Sequence, residues 1–266
     1  MRATLVAEYR KLVTTRLWWI LLAAMAAYVG FLAGVIAWTA SRPEGLGGSG
    51  SAPLSVDETV RSVYTVGSSV GYVFPLVIGA LAVASEFRHR TVTPTLLAEP
   101  RRTVFLLGKL AAGLGAGLVF GVVGTAVATG VGAAVLSATG SPTLLDQSAT
   151  WRYVGLAVVA MALWALLGVG VGTVLTNQVA VVVVVLAWTQ FVEPIARIAL
   201  GATSWGGHLV AYLPGAASDA LTGGSLYTAV ASGPVLDWWA GLLVLLGYVA
   251  VLAIAGRLAT LRRDIT

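Results

Sequence analysis

The chain has 266 residues, of which 58% are hydrophobic and 10% charged, and its formal net charge is +5. A soluble domain of this size needs more polar surface, so the composition excludes an ordinary soluble protein and indicates a membrane protein. The absence of cysteine excludes disulfides, thiolate catalysis and cysteine-ligated metals. The basic residues lie almost entirely between apolar stretches, which argues against nucleic acid as a partner.

The first 16 residues have the pattern of an amphipathic helix lying on the inner membrane surface. Apolar residues recur at helical spacing, and charged residues lie opposite them. The alternative is a simple basic signal that fixes orientation, but the continuous apolar face favours the helix. The apolar residues are Leu5, Val6, Tyr9, Leu12 and Val13, and the charged residues are Arg2, Glu8, Arg10 and Lys11.

Six transmembrane helices are predicted from long apolar stretches that are almost free of charge, which makes residues 1–266 one all-α membrane domain. The run 17–40 is too long for a cleaved secretory signal and predicts a retained span. The run 153–192 is too long for one span of about 20 residues, and the polar triplet at 176–178 divides it into two. The predicted spans are 17–40, 62–85, 110–138, 153–175, 179–200 and 238–256.

The distribution of basic residues predicts the orientation of these spans. With the N-terminus in the cytoplasm, the inner segments hold twelve of the 16 basic residues and the outer segments hold four. Such a bias is typical of inner loops, so we expect both termini in the cytoplasm. The four outer basic residues are Arg42, Arg61, Arg152 and Arg197.

Two outer segments differ in character. Residues 41–57 are rich in Gly, Ser and Pro and predict a flexible loop. Residues 201–237 are apolar but interrupted by Gly-Gly and Pro-Gly pairs, so they are too broken to span the membrane. We expect a broken re-entrant or interfacial hairpin there, between spans 5 and 6.

The inner segment 86–109 has more features than an orientation signal requires. It combines acids, arginines, threonines, an apolar pair and two prolines, a composition that suits docking to a cytoplasmic protein. We expect Glu86 to pair with a nearby arginine at the membrane edge. The candidate docking residues are Glu86, Arg88, His89, Arg90, Thr91, Thr93, Leu96 and Leu97.

Three regions together resemble the permease subunit of a type-2 ABC exporter of the compact actinobacterial type. Residues 7–16 are similar to the family's elbow helix, through Glu8, Tyr9, Arg10 and Lys11. Residues 86–109 are similar to its coupling loop, and Glu193-Pro194 with 213–216 to its outer hairpin. One departure is Arg90, where the family often has glycine before the threonine.

The resemblance implies an ATP-driven exporter of a hydrophobic or amphipathic compound such as a drug, a lipid or a modified peptide. Two permeases, identical or paralogous, would pair with two cytoplasmic ATPase subunits, and the coupling loop would dock on the ATPase. The chain has no P-loop of its own, because Thr103 and Leu110 stand at two required positions around Gly108-Lys109. ATP and Mg²⁺ would therefore bind the partner, and this chain would bind no cofactor or metal.

Two further features have a functional and a structural interpretation. Gly113, Gly117 and Gly121 form a small-residue ridge, which we interpret as helix contact within the chain rather than a cargo site. Glu193 beside Pro194 is either an outer gate or cargo contact, or a solvated helix cap. The rival function is a non-transporting membrane scaffold, since no constellation of catalytic residues is present.

Overall fold

The computed structural model describes residues 6–8, 10–11, 14–42, 54–98, 101–203, 206–225, 227–228 and 235–259. Throughout these residues the regular structure is helical, and no strand occurs. Five helices are long and apolar enough to cross a membrane. The expected class, an all-helical multi-pass membrane protein, is confirmed at this level.

Most of the predicted spans correspond to single helices. The helices are α1 Arg16–Ala40, α2 Val56–Tyr64, α3 Val66–Ser69, α4 Val73–Arg88, α5 Val92–Ala98, α6 Arg102–Ala138, α7 Ser148–Val174, α8 Gln178–Ala187, α9 Glu193–Gly201, α10 Gly206–Val210, α11 Pro214–Leu221 and α12 Trp238–Ala259. A π-helical turn, Trp188–Val192, joins α8 and α9 into one membrane-length helix. The five membrane-length helices are therefore α1, α6, α7, α8–α9 and α12.

The second predicted span, 62–85, is not one helix. It is divided among α2, α3 and α4, with breaks at Thr65 and at 70–72. Hydropathy alone does not predict these breaks. The residues at the breaks are small or apolar, and the whole segment is free of charge. α4 alone has 16 residues, fewer than a straight span of the hydrocarbon core needs.

α7 is the central helix of the bundle. It packs against α4, α6 and α12, while α1 packs against α6 and α8 packs on α4. We call the end of the bundle that holds Glu86 and Lys109 the inner end, and the end that holds Glu193 and Asp219 the outer end. The names follow the orientation expected from the basic residues.

The contact between α4 and α7 depends on glycines. A β-carbon on Gly168 would overlap the carbonyl oxygen of Leu76, and one on Gly172 would overlap that of Ala80. The ridge on α6 also faces α7: a β-carbon on Gly117 would lie 2.7 Å from Ala162 Cα. The backbones approach closely because no side chain separates them, as is usual where membrane helices cross at small residues.

Replacing Gly168 with alanine should therefore destabilise the bundle by roughly 1 to 3 kcal/mol, because the two backbones must move apart. Gly155→Ala on the same helix is the matched control, since a β-carbon there would meet no atom within 4 Å. Unfolding of both variants by SDS in mixed micelles measures the difference. Equal stability of the two variants would contradict the close approach.

The described part of the outer segment forms the short helices α10 and α11, as expected for a sequence broken by glycine and proline. Residues 204–205, 226 and 229–234 of this segment lie outside the described residues. α11 packs against α12 and against α3 and α7, so its buried residues, including Ala217 and Leu221, belong to the core of the bundle. Arg61 also contacts this segment through a 2.6 Å hydrogen bond from Nη1 to the carbonyl oxygen of Gly223. This part of the chain is thus fixed to the outer end of the bundle.

Candidate functional site

Four charged side chains from three parts of the chain meet at the inner end. Glu8 and Lys11 come from the N-terminal segment, Glu86 from the end of α4, and Lys109 from the first turns of α6. We call these four residues the inner cluster. Glu8, Glu86 and Lys109 are buried, with Lys109 only 1% exposed. Burying charges is costly unless they are paired, so the geometry of the pairs matters.

Lys109 is the centre of the inner cluster. Its Nζ donates to Glu8 Oε2 at 2.7 Å, to Glu86 Oε1 at 2.6 Å and to the carbonyl oxygen of Ala82 at 2.8 Å. These three acceptors use all three protons of the ammonium group. Lys11, which is more exposed, donates to Glu8 Oε1 at 3.0 Å and also to Glu86 Oε1. The cluster therefore ties the N-terminal segment to α4 and α6.

The partners of Glu86 differ from those expected. Instead of an arginine, two lysines hold its carboxylate, and one of them lies 23 residues later in the chain. Burial acts to lower the pKa of Lys11, but hydrogen bonds to Glu86 and Glu8 outweigh it, so the pKa lies above the ordinary value. Lys11 therefore remains charged at neutral pH and contributes a full positive charge to the cluster.

The chain turns sharply after Glu86. Arg90 has a φ of +54°, the left-handed conformation that usually requires glycine, and the N–H of Thr91 donates to the carbonyl oxygen of Glu86 at 2.9 Å. This pair of features is the Schellman motif that ends many helices. The departure from glycine at position 90 thus leaves the turn intact. The turn directs α5 away from α4.

The remaining predicted docking residues lie around this turn and along α5. Arg88 Nη1 donates to Gln178 Oε1 at 3.2 Å, which links the end of α4 to the start of α8. Leu97 is 78% exposed, and His89 and Thr93 are also exposed. Leu96 lies in α5, and only its position along the helix is described. Exposed apolar residues at an inner loop are available to a partner.

The predicted elbow helix is described only in part. Residues 6–8, 10–11 and 14 are helical, whereas Tyr9 lies outside the described residues. Arg10 is exposed, and Glu8 is buried in the inner cluster. The single charged face expected from the sequence is therefore divided, because Glu8 is buried against the protein whereas Arg10 is exposed.

A second buried network lies at the outer end. Arg197 on α9 donates from Nη2 to Glu193 Oε1 at 3.0 Å and from Nη1 to Asp219 Oδ2 at 2.7 Å. The backbone N–H of Gly215 donates to the same Glu193 oxygen at 2.6 Å. We call Glu193, Arg197 and Asp219 the outer cluster. It joins α9 to α11, because a single guanidinium binds a carboxylate from each.

Glu193 is not a solvated cap, because the residue is 1% exposed. The interpretation of Glu193 as a solvated helix cap is therefore wrong. Pro194 follows Glu193 in the first turn of α9. Gly215 allows the approach, since a β-carbon there would overlap both Glu193 and Arg197. Burial raises the pKa of Asp219, against the opposing effect of the Arg197 charge. Arg197 and Asp219 are not among the site residues that the sequence predicts.

α11 is attached to the centre of the bundle by a further contact next to this cluster. Trp164 Nε1 donates to Ser218 Oγ at 3.0 Å, and the Trp164 ring stacks on Tyr72 with 4.1 Å between centroids. Ser218 precedes Asp219, so the aromatic pair and the outer cluster hold the same helix. Neither tryptophan nor serine suggests this role in the sequence.

Neither cluster resembles a metal centre. Within the described ranges, no three His, Cys, Asp or Glu side chains are grouped so that they could hold a metal ion.

No protein-family model matches the chain, and no curated protein sequence matches it.

Proposed function

We propose that the chain is the permease subunit of an ATP-driven exporter in the plasma membrane of a bacterial cell. It moves a hydrophobic or amphipathic compound out of the cytoplasm. It works as a pair with a second permease, identical or paralogous, and with two copies of a cytoplasmic ATPase that bind ATP and Mg²⁺. The segment from α2 to α4 supplies the sixth crossing, and both termini lie in the cytoplasm.

The proposal rests on one observation, which is that the turn at Arg90 connects the inner cluster to α5. A force applied to α5 from the cytoplasm passes through the turn at Arg90 to Glu86. From Glu86 it passes to α6 through Lys109, and to the N-terminal segment through Lys109 and Lys11. Such a rigid, ion-paired connection suits the transfer of motion from a docked ATPase to the membrane helices.

The outer cluster suits a gate on the opposite side. It holds α11 against α9 through one arginine side chain and one backbone hydrogen bond, from Gly215 to Glu193, and a change of helix angle can break these few contacts. Closure of the ATPases would then be followed by separation of these groups at the outer end. The interior between the two clusters contains few charges, which favours apolar cargo over ions or sugars.

Leu97→Asp is expected to weaken binding of the ATPase by roughly 1 to 3 kcal/mol or more, the range of an interface hot spot. The new charge would have to lose its water at the contact. The measurement is a pull-down in detergent with a Walker-motif ATPase encoded next to this chain. Pro94→Asp, an exposed position on α5 that is not among the candidate docking residues, is the matched control for added charge.

Two outcomes of that pull-down are decisive. Loss of the ATPase from Leu97→Asp, with normal membrane insertion and retention by the control, supports the coupling role of α5. Binding at wild-type strength by Leu97→Asp, or failure of the wild-type chain to copurify with any ATPase, refutes the proposal and favours the scaffold.

A further inference from the structure

The span α8–α9 lies at the edge of the bundle. It is the least buried of the five membrane-length helices, and α8 packs mainly on α4. Its inward face is formed by Val181, Val185 and Thr189. Lipid tails are as apolar as the exposed valines and leucines of this span, so those side chains alone require no protein partner.

One exposed side chain of this span is polar. Gln190 is exposed, and among the described residues its amide nitrogen reaches only the hydroxyl of Thr189, at 3.4 Å. The other side-chain amides of the chain lie at the start of a helix, at Gln147, Asn177 and Gln178. An amide in hydrocarbon without a good hydrogen bond is costly, so Gln190 requires a partner from outside the chain.

Gln190 lies at the depth of the middle of the bundle. The Tyr72 hydroxyl donates to the carbonyl oxygen of the neighbouring Thr189 at 3.5 Å, and the Tyr72 ring stacks on Trp164. Trp164 lies near the middle of α7, Ser148–Val174. Water is scarce at this depth of a bilayer, so the partner of Gln190 is another protein helix.

Three exposed apolar residues share one side of α8 with Gln190. Val179, Val183, Leu186 and Gln190 follow one another at intervals of four, three and four. This is the spacing of residues at the contact between two supercoiled helices, where a single polar residue determines the register and the number of helices. We call these four residues the edge seam. The spacing indicates a second helix that runs along α8.

A second copy of this chain fits the edge seam. Two copies in one membrane share an orientation, so a two-fold axis along the membrane normal brings each seam residue to its own counterpart at the same depth. The amide of Gln190 is self-complementary, because its NH2 group donates and its carbonyl oxygen accepts. Each Gln190 can therefore donate to the other, which satisfies both amides.

We propose that two copies of this chain associate through the edge seam, with their Gln190 amides hydrogen-bonded to each other in the middle of the membrane. This inference rests on the proposed function, in which two permeases pair. It makes the second permease an identical chain and α8 the helix of contact. Glu193 lies less than one helical turn after Gln190, so the outer clusters of both copies lie near the shared interface.

Single cysteines test which side of α8 forms the contact, because the chain has no cysteine of its own. Leu186→Cys places a thiol on the edge seam, and Val184→Cys places one on a different exposed side of α8. Each full-length variant is oxidised with copper phenanthroline in membranes that contain no ATPase. We expect a disulfide-linked dimer on SDS gels from Leu186→Cys only. Equal dimer formation by Val184→Cys would overturn the edge seam.

Energy transfer measures the strength of the association. Copies with donor and acceptor fluorescent proteins at the C-terminus are reconstituted in liposomes at decreasing protein-to-lipid ratios. Gln190→Leu should raise the ratio needed for half-maximal transfer about tenfold, which corresponds to roughly 1.4 kcal/mol. Gln190→Asn keeps an amide and should stay close to wild type. Gln147→Leu, at an exposed glutamine before α7, is the matched control and should change nothing.

The outcomes separate this inference from the proposed function. Association of Gln190→Leu at wild-type strength would refute the amide contact, and absence of transfer in the wild-type chain at the highest ratio would refute pairing of identical copies. Seam-dependent dimers of a chain that binds no ATPase would leave the interface intact but remove its role in export. Normal ATPase binding by a chain that forms no such dimer would refute this inference alone.

Discussion

Replacing Lys109 with methionine is expected to destabilise the protein by roughly 3 to 5 kcal/mol, the usual cost of removing one partner from a buried ion pair. Lys109 is the buried cation of the inner cluster, and its loss leaves Glu8 and Glu86 to share Lys11. Methionine fills a similar volume, so the effect measures charge rather than a cavity. Unfolding by SDS in mixed micelles gives the difference in free energy.

A double variant distinguishes charge balance from loss of shape. Lys109→Met with Glu86→Gln leaves one carboxylate and one ammonium, so the net charge returns to zero and a large part of the lost stability should return. Lys11→Met, at the more exposed lysine, should cost about 1 kcal/mol or less. Additive losses in the double variant would show that the two side chains do not act as a pair.

Replacing Arg197 with methionine is expected to cost about the same, roughly 3 to 5 kcal/mol, because Glu193 and Asp219 would both be buried without their cation. The contact between α11 and α9 should also weaken, because the link from Arg197 to Asp219 is lost. The matched control is Arg152→Met, an exposed arginine whose guanidinium stacks over Trp238. Its cost should stay within about 0.5 kcal/mol.

Arg197→Lys tests the geometry of the outer cluster. The guanidinium binds Asp219 through Nη1 and Glu193 through Nη2 and Nε, whereas an ammonium is a single point of charge. We expect an intermediate loss, since lysine keeps the charge but cannot span both carboxylates. Wild-type stability of this variant, measured by the same unfolding, would contradict the two-sided contact.

The sequence predicts the membrane helices well because length and hydropathy are local properties. The first span is expected at 17–40 and the helix is Arg16–Ala40. The break between α2 and α4 is not predicted, because hydropathy does not change where the helix is interrupted. Gly67 and Gly71 are the available signals, and glycine is too common in membrane helices to decide the matter.

The two clusters could be predicted only in part. Glu86 and Glu193 stand out because acids are rare in this chain. Each has a partner on another element: Lys109 lies 23 residues after Glu86, and Gly215 lies 22 residues after Glu193. Arg197 is visible as a neighbour of Glu193 one helical turn later, whereas Asp219 belongs to another element. Pairing between elements depends on how the helices cross, which no local pattern of residues specifies.

The π-helical turn determines which way the buried face of the span that contains Glu193 points. The buried residues of this span, Val181, Val185, Thr189 and Glu193, follow one another at intervals of four. In a regular α-helix each such step over-rotates by about 40°, so the stripe would wind round towards lipid. The wider turn at 188–192 holds an extra residue and returns the stripe to the bundle. Deletion of one residue there would rotate α9 by about 100°. The Glu193 carboxylate would move away from the Gly215 N–H, and the Arg197 guanidinium would move away from Asp219.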